Sequence, residues 1–286
     1  GASLGFTMAA LNMTRGGKAG YINTGVWASG AIKEAKLVGI DVDVIASSED
    51  KNFSYIPKDN TISSNLDYLH YTSNNTIYGT QFHETPKTNV PLICDMSSDI
   101  FSKKINVADF DLIYAGAQKN LGPAGATLYI VKEDVLGKST AQFMPSYLNL
   151  AKHHDKESML NTPPVFSVYV AMLNLRNLIA TGGVAAIEAQ NDAKAALLYS
   201  EIDANPLFKS VVNPADRSKM NVSFVLNEQY TSLEEEFNAF WGAADLVGLK
   251  GHRTTGGYRA SLYNALPLES VQVLVDVMKE FAAKKA

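Results

Sequence analysis

Apolar runs and stretches of helical period alternate along the first half of the chain. Residues 20–23, 41–45, 68–71, 90–95, 111–115 and 126–131 are short, apolar and strand-like. Residues 6–13 and 29–38 follow the helical period, the second with a polar face, and residues 1–5 read as a loop ahead of the first helix. Strands separated by helical stretches predict an α/β fold, a mostly parallel sheet covered by helices. The pattern changes after Thr181-Gly182-Gly183. A long helix is expected from there to Asn205-Pro206, with Val184, Ile187, Ala193, Leu197 and Leu198 supplying its apolar face. Strands at 220–225 and 257–262 and helices at 234–248 and 268–284 complete the order. Val271, Leu274, Val275, Met278 and Phe281 share one face of the last helix. The change of order predicts a large domain over residues 1–181 and a smaller α+β domain over 182–286.

Composition narrows the function. The chain has 286 residues, 46% hydrophobic and 19% charged, with a net charge of −4, so a folded globular protein is expected. The sequence has no basic stretch interleaved with aromatics, which argues against a nucleic-acid surface, and its apolar runs are too short for a membrane span. Cys94 is the single cysteine; it lies in an apolar run, reads as core packing, and fits a reducing cytoplasm. The opening Gly-Ala-Ser-Leu-Gly-Phe has no methionine and no signal-peptide pattern, and reads as the middle of a fold with an N-terminal piece missing. Asn-x-Ser/Thr triplets at Asn12, Asn52 and Asn221 read as chance. No metal is expected.

Lys119 draws the chemistry together. It follows the apolar run Leu112-Ile113-Tyr114, and Ala115, Gly116, Ala117, Gly122, Ala124 and Gly125 flank it. A lysine between two core strands loses hydration, and its amine pKa falls. A neutral amine attacks carbonyls, including the aldehyde of pyridoxal phosphate, with which it forms a Schiff base. A surface-loop lysine is the bland alternative. Asp95 ends the run Pro-Leu-Ile-Cys-Asp and is followed by Met-Ser-Ser-Asp. It would meet a pyridinium, or else cap the next turn. Small residues at Gly1-Ala2-Ser3 before a helix suit a phosphate, or Ser3 simply caps that helix. Trp27, between Gly25 and Gly30, could stack on a ring or pack in the core. Arg259 lies in a strand pattern and its planar fork suits a carboxylate; His252 and Arg253 suit a phosphate, or stand in a solvated loop.

Five separated stretches together resemble the phosphoserine aminotransferase family of class-V, fold-type I pyridoxal-phosphate enzymes: 114–125, 21–28, 72–79, 161–164 and 251–261. The resemblance spans essentially the whole chain. It implies that Lys119 carries the cofactor, Asp95 pairs with the ring nitrogen, Trp27 stacks on the ring and Thr76 bonds near the ring oxygen. Ala2, Ser3 and Gln118 would hold the cofactor phosphate. Asn161 and Thr162 would reach the phosphate of the neighbouring subunit's cofactor, making the family an obligate homodimer with shared active sites. Arg259 would bind the substrate carboxylate, and His252 with Arg253 the substrate phosphate. The family is longer at its N-terminus and supplies another substrate arginine and a gating segment there; some members carry arginine where this chain has Ser3.

The reaction so implied is a ping-pong transamination. Glutamate gives up its amino group and leaves as 2-oxoglutarate; 3-phosphohydroxypyruvate takes the group and leaves as O-phospho-L-serine, with Lys119 moving the proton. A related phosphorylated hydroxy-amino acid of vitamin B6 synthesis would fit the same cationic cluster. Two alternatives stand beside it: another aminotransferase or lyase of the same fold acting on a small amino acid, and an inactive fragment.

Overall fold

The computed structural model describes residues 1–58 and 61–285. Among them, β1 (Lys18–Asn23), β2 (Asp41–Ser47), β3 (Leu66–Thr72), β6 (Leu92–Asp95), β7 (Leu112–Gly116) and β8 (Thr127–Val131) form a six-stranded sheet in the order β2-β1-β3-β6-β7-β8. The first five run parallel, and β8 is antiparallel to β7 at the edge. The central strands β3, β6 and β7 are buried almost throughout because both faces are covered. A short ribbon, β4 (Asn74–Asn75) and β5 (Thr80–Gln81), follows β3. The carboxyl ends of β3, β6 and β7 lie side by side, which is where open α/β sheets gather ligands.

Helix α1 runs from Ala2 to Met13, so the expected loop over residues 1–5 is helix instead. Gly5 is not a breaker here but a close approach: a Cβ on it would sit 2.7 Å from Tyr114 Cδ2. Ser3 does not cap the helix; Gly1 does, with no side-chain bond. Helix α2 (Val26–Leu37) begins three residues earlier than its periodicity suggests and takes Trp27 into its first turn rather than a loop. Two helices have no counterpart in the sequence pattern: α3 (Leu150–Asp155) and α4 (Val165–Ala180). α4 is apolar nearly all round, so no 3.6-residue contrast marks it. Val165, Phe166, Val168 and Tyr169 on it are exposed.

Helix α5 (Gly183–Ala204) presents a different face from the expected one. Of the five apolar residues named for it, Leu198 alone is fully buried and Ala193 is exposed. The buried face carries Asn191, Lys194 and Glu201 beside Ala195, Tyr199 and Ile202. Each of these polar side chains makes hydrogen bonds, such as those from Lys194 Nζ to three carbonyls, although Asn191 Oδ1 has no partner among the described residues. β9 (Phe208–Ser210), too short for its period to register, pairs antiparallel with β10 (Asn221–Leu226), which pairs antiparallel with β11 (Tyr258–Ser261). α5, α6 (Glu234–Ala243) and α7 (Leu268–Lys285) share a core with this sheet. α6 stops short of residue 248, and Asp245 beyond it takes φ 57°. On α7 all five expected residues are buried. Cys94 is buried and unpaired, as expected of a core residue, and the triplet asparagines Asn12 and Asn221 are buried.

Under the large sheet, His70 Nε2 lies 2.8 Å from Tyr114 Oη, its ring stacks on Tyr21, and Nδ1 has no partner. Burial pushes its pKa down to about 3. The unfolded chain therefore binds a proton there that the fold refuses. Stability from this group is present above about pH 6.5 and is lost as the pH falls from 6.5 towards 3. Replacing His70 with Phe should flatten the acid limb of the urea-unfolding free energy over that window. An unchanged limb would contradict a neutral buried imidazole.

Candidate active site

β6 delivers Asp95 to the end of the sheet with its side chain buried. Both hydrogen bonds to its carboxylate, from Ser97 N (2.9 Å) and Ser97 Oγ (2.6 Å), fall on Oδ1. Oδ2 takes none from the described residues. Burial raises the pKa of this carboxyl, against the Ser97 bonds and the Lys119 charge, which lower it. Gly116 N donates in turn to Ser97 Oγ at 3.1 Å, tying the end of β7 to the same serine.

Lys119 sits in the turn between β7 and β8, half-buried. Its Nζ donates to Thr76 Oγ1 (3.0 Å) and Ser98 Oγ (2.9 Å), and those hydroxyls lie 2.6 Å from each other. Burial lowers the amine pKa; Asp95 and Asp99 work against that, and Arg259 adds to it. The turn is braced on three sides. Asn120 Nδ2 donates to Ile100 O and its Oδ1 accepts from Asn264 N. Asn174 of α4 donates to the Asn120 and Leu121 carbonyls. A Cβ on Gly122 would lie 3.2 Å from Ala171 Cα, so the small residues around Lys119 are there to let α4 in.

The start of α1 meets this corner. Ala2 and Ser3 N–H groups have no intrahelical acceptor at a helix start, and no side chain caps them. A Cβ on Gly116 would lie 2.6 Å from Gln118 Oε1 and 3.2 Å from Ala2 Cβ, so Ala2, Gly116 and Gln118 enclose one small space. Trp27, 37% exposed, stands at the start of α2. Arg259 on β11 is half-buried, and its Nε has no partner. Tyr263 beyond it accepts from Asn221 Nδ2 (3.2 Å) and faces both Thr76 and Arg259.

Lys119, Thr76, Asp95 and Arg259 thus form one cluster, with Ala2 and Gln118 at its β7 side. The donor set fits pyridoxal phosphate: an amine for its aldehyde, an unclaimed oxygen on the carboxylate of the buried Asp95 for its ring nitrogen, and free backbone N–H groups beside a space that a side chain would fill. The remaining expected residues stand apart within this chain. Asn161 and Thr162 are exposed, and Asn161 lines a cavity of about 450 Å³ shared with Gly1, Leu4 and Gly125. His252 and Arg253 lie in the loop before β11, closed by Gly251 N to Gly257 O (2.7 Å); His252 Nδ1 accepts from Thr254 N. Ser97, Ser98, Asp99 and Tyr263 escaped the sequence reading. The run Asp95-Met-Ser-Ser-Asp99 was the available signal, since hydroxyls beside a strand-end carboxylate suit its solvation.

Gly116→Ala should weaken pyridoxal phosphate binding by about tenfold by displacing one polar group at the phosphate. Absorbance titration of the cofactor-free protein measures this, and unchanged affinity would contradict a phosphate at this corner.

The class-V aminotransferase family profile matches residues 1–274. A phosphoserine aminotransferase of Flavobacterium johnsoniae is 58% identical over 285 residues, covering 99% of this chain and 79% of the relative. One from Porphyromonas gingivalis is 55% identical over 288 residues, with the same coverage. Among solved structures, the phosphoserine aminotransferase of Bacillus circulans subsp. alkalophilus superposes with a TM-score of 0.94 at 43% identity, covering 100% of this chain and 80% of that one. The pyridoxal-phosphate-bound enzyme of Trichomonas vaginalis gives 0.91 at 35% identity, covering 98% and 80%. The chain belongs to the class-V aminotransferase family and, within it, to the phosphoserine aminotransferases.

Proposed function

We propose that this chain is a pyridoxal-phosphate-dependent transaminase that moves an amino group between L-glutamate and 3-phosphohydroxypyruvate, yielding 2-oxoglutarate and O-phospho-L-serine for serine biosynthesis. The observation that carries this reading is the Lys119 amine. It is held by two hydroxyls, and its pKa is lowered by burial beside a buried carboxylate. Pyridoxal phosphate supplies, when bound, a carbonyl that accepts the amino group and a ring that withdraws electrons from the substrate α-carbon.

The chain's own residues do the rest. Asp95 offers Oδ2 to a protonated ring nitrogen while Ser97 holds Oδ1. Backbone N–H groups of Ala2 and Ser3, the α1 dipole and the Gln118 amide hold the phosphate. Trp27 shields one ring face, and its partial exposure leaves the indole free for that contact. Lys119 would serve as general base and carry the substrate α-proton, with Thr76 and Ser98 fixing Nζ. Arg259 takes the substrate carboxylate, a role supported by its unpartnered Nε. His252 and Arg253 take the substrate phosphate.

Two chains make the working unit in this reading. Asn161 and Thr162 reach the cofactor phosphate of the other subunit, and the exposed apolar residues Val165, Phe166, Val168 and Tyr169 beside them cover the contact. A sedimenting mass of one chain in the active protein would contradict this. We place the large domain at residues 1–181 and the small one at 182–286, supported by their separate sheets and cores. A cytoplasmic location is supported by the single unpaired cysteine.

Lys119→Ala should abolish the visible absorption band of the cofactor-loaded protein and its response to glutamate; turnover surviving at the parent rate would defeat the assignment. Arg253→Ala should lower kcat/KM for O-phosphoserine by about a hundredfold while leaving an unphosphorylated amino donor unaffected. Equal losses for both would remove Arg253 from phosphate recognition.

A further inference from the structure

Asp99 has no part in the steps above, yet it is the second buried carboxylate of the Lys119 cluster. It is 4% exposed and lies on the turn after β6. Its carboxylate accepts hydrogen bonds from Ser73 Oγ and from Gln81 Nε2 (3.1 Å). Ser73 N donates to the Asp95 carbonyl at 3.0 Å, so one serine fixes both acidic residues. The adjacent residue, Ser98, holds Lys119 Nζ. No cation among the described residues makes an ion pair with Asp99. A buried carboxylate served by neutral donors alone is costly, and this cost needs an offset from a nearby positive charge.

The groups facing this centre come from four elements. Asp95 is on β6, Arg259 on β11 and Tyr263 just beyond it, and Lys119 is in the turn after β7. Around Asp99 itself are Tyr71 on β3 and Cys94 on β6, both kept neutral by burial, and Lys103, which shares a small cavity with it and donates to Phe82 O. Two carboxylates, Asp95 and Asp99, therefore stand against Lys119 and Arg259, with Lys103 as a third cation on the Asp99 side. If Asp95 is committed to a protonated ring nitrogen, Asp99 is the one carboxylate of the cluster left to face the charge of Lys119.

We propose that Asp99 is a positioning residue acting through charge: its carboxylate is the standing counter-charge that keeps a proton on the nitrogen of Lys119 once Asp95 is engaged by the cofactor. This rests on the reading of the site as a pyridoxal phosphate centre. The same carboxylate favours the ammonium of Lys119 in the cofactor-free protein. Asp99 touches neither cofactor nor substrate in this role, so its removal changes a pH midpoint rather than a contact.

The test is a pH titration of two kinds on the full chain. In the holoenzyme, the midpoint of the visible absorbance change is followed. In the cofactor-free protein, the pH dependence of Lys119 acetylation by acetic anhydride is read by peptide mass spectrometry. Asp99→Asn should lower both midpoints by about one pH unit. Asp99→Thr, smaller and uncharged, should do the same if the amide is not tolerated against Gln81, and Asp99→Glu should restore much of the shift. Midpoints unmoved or raised in the uncharged variants would overturn the proposal. If the parent protein shows no visible band, the cofactor reading fails; the acetylation midpoints still decide whether Asp99 holds the proton on Lys119.

Discussion

An amine withdrawn from bulk water beside two buried carboxylates is the constraint on which the rest of this structure depends. Asp95 and Asp99 are buried, and Lys119 is half-buried between two hydroxyls. None of these groups forms an ion pair with a described residue, so each depends on hydrogen bonds and on the others' fields. The parallel sheet makes this possible, because its strands carry apolar sequence up to their carboxyl ends and there release polar residues into one shared corner. Asp95 is the last residue of β6, and Gly116 the last of β7.

The Lys119 turn also joins the two sheets. Asn120 bonds back to the Ile100 carbonyl and outward to Asn264 N, and Asn264 Nδ2 reaches Phe101 O. Lys194, buried on α5, gives three hydrogen bonds to the carbonyls of Leu262, Tyr263 and Leu266. The segment that presents Tyr263 to Thr76 is therefore clamped from both sides. Arg259 precedes it on β11, so the residue suited to a substrate carboxylate is positioned by the smaller sheet while the lysine is positioned by the larger one. Chemistry at Lys119 thus depends on how the two sheets are held together.

Much of this was legible in the sequence, for physical reasons that can be named. Apolar runs ending in a polar residue marked β6 and β7, and with them Asp95 and Lys119. Small residues around Lys119 signalled close packing, which α4 supplies at Gly122. The misreadings share a cause: period and propensity see one chain segment at a time. Gly5 reads as a break, but the Tyr114 ring leaves no room for a Cβ in an otherwise continuous helix. α4 keeps an apolar outer face, so its period was invisible. Lys194 and Asn191 lie outside the apolar face expected for α5, yet they face inward because carbonyls from the segment after β11, and from Ser102, accept from them. Ser97 and Ser98 were passed over because a hydroxyl declares its role only when its partner is in view.

Reduction of the cofactor-loaded protein with borohydride, followed by peptide mapping, tests the central claim most directly. A single pyridoxyl group on the peptide that contains Lys119 is the predicted result. A pyridoxyl group spread over exposed lysines, with Lys119 unmodified, would contradict it.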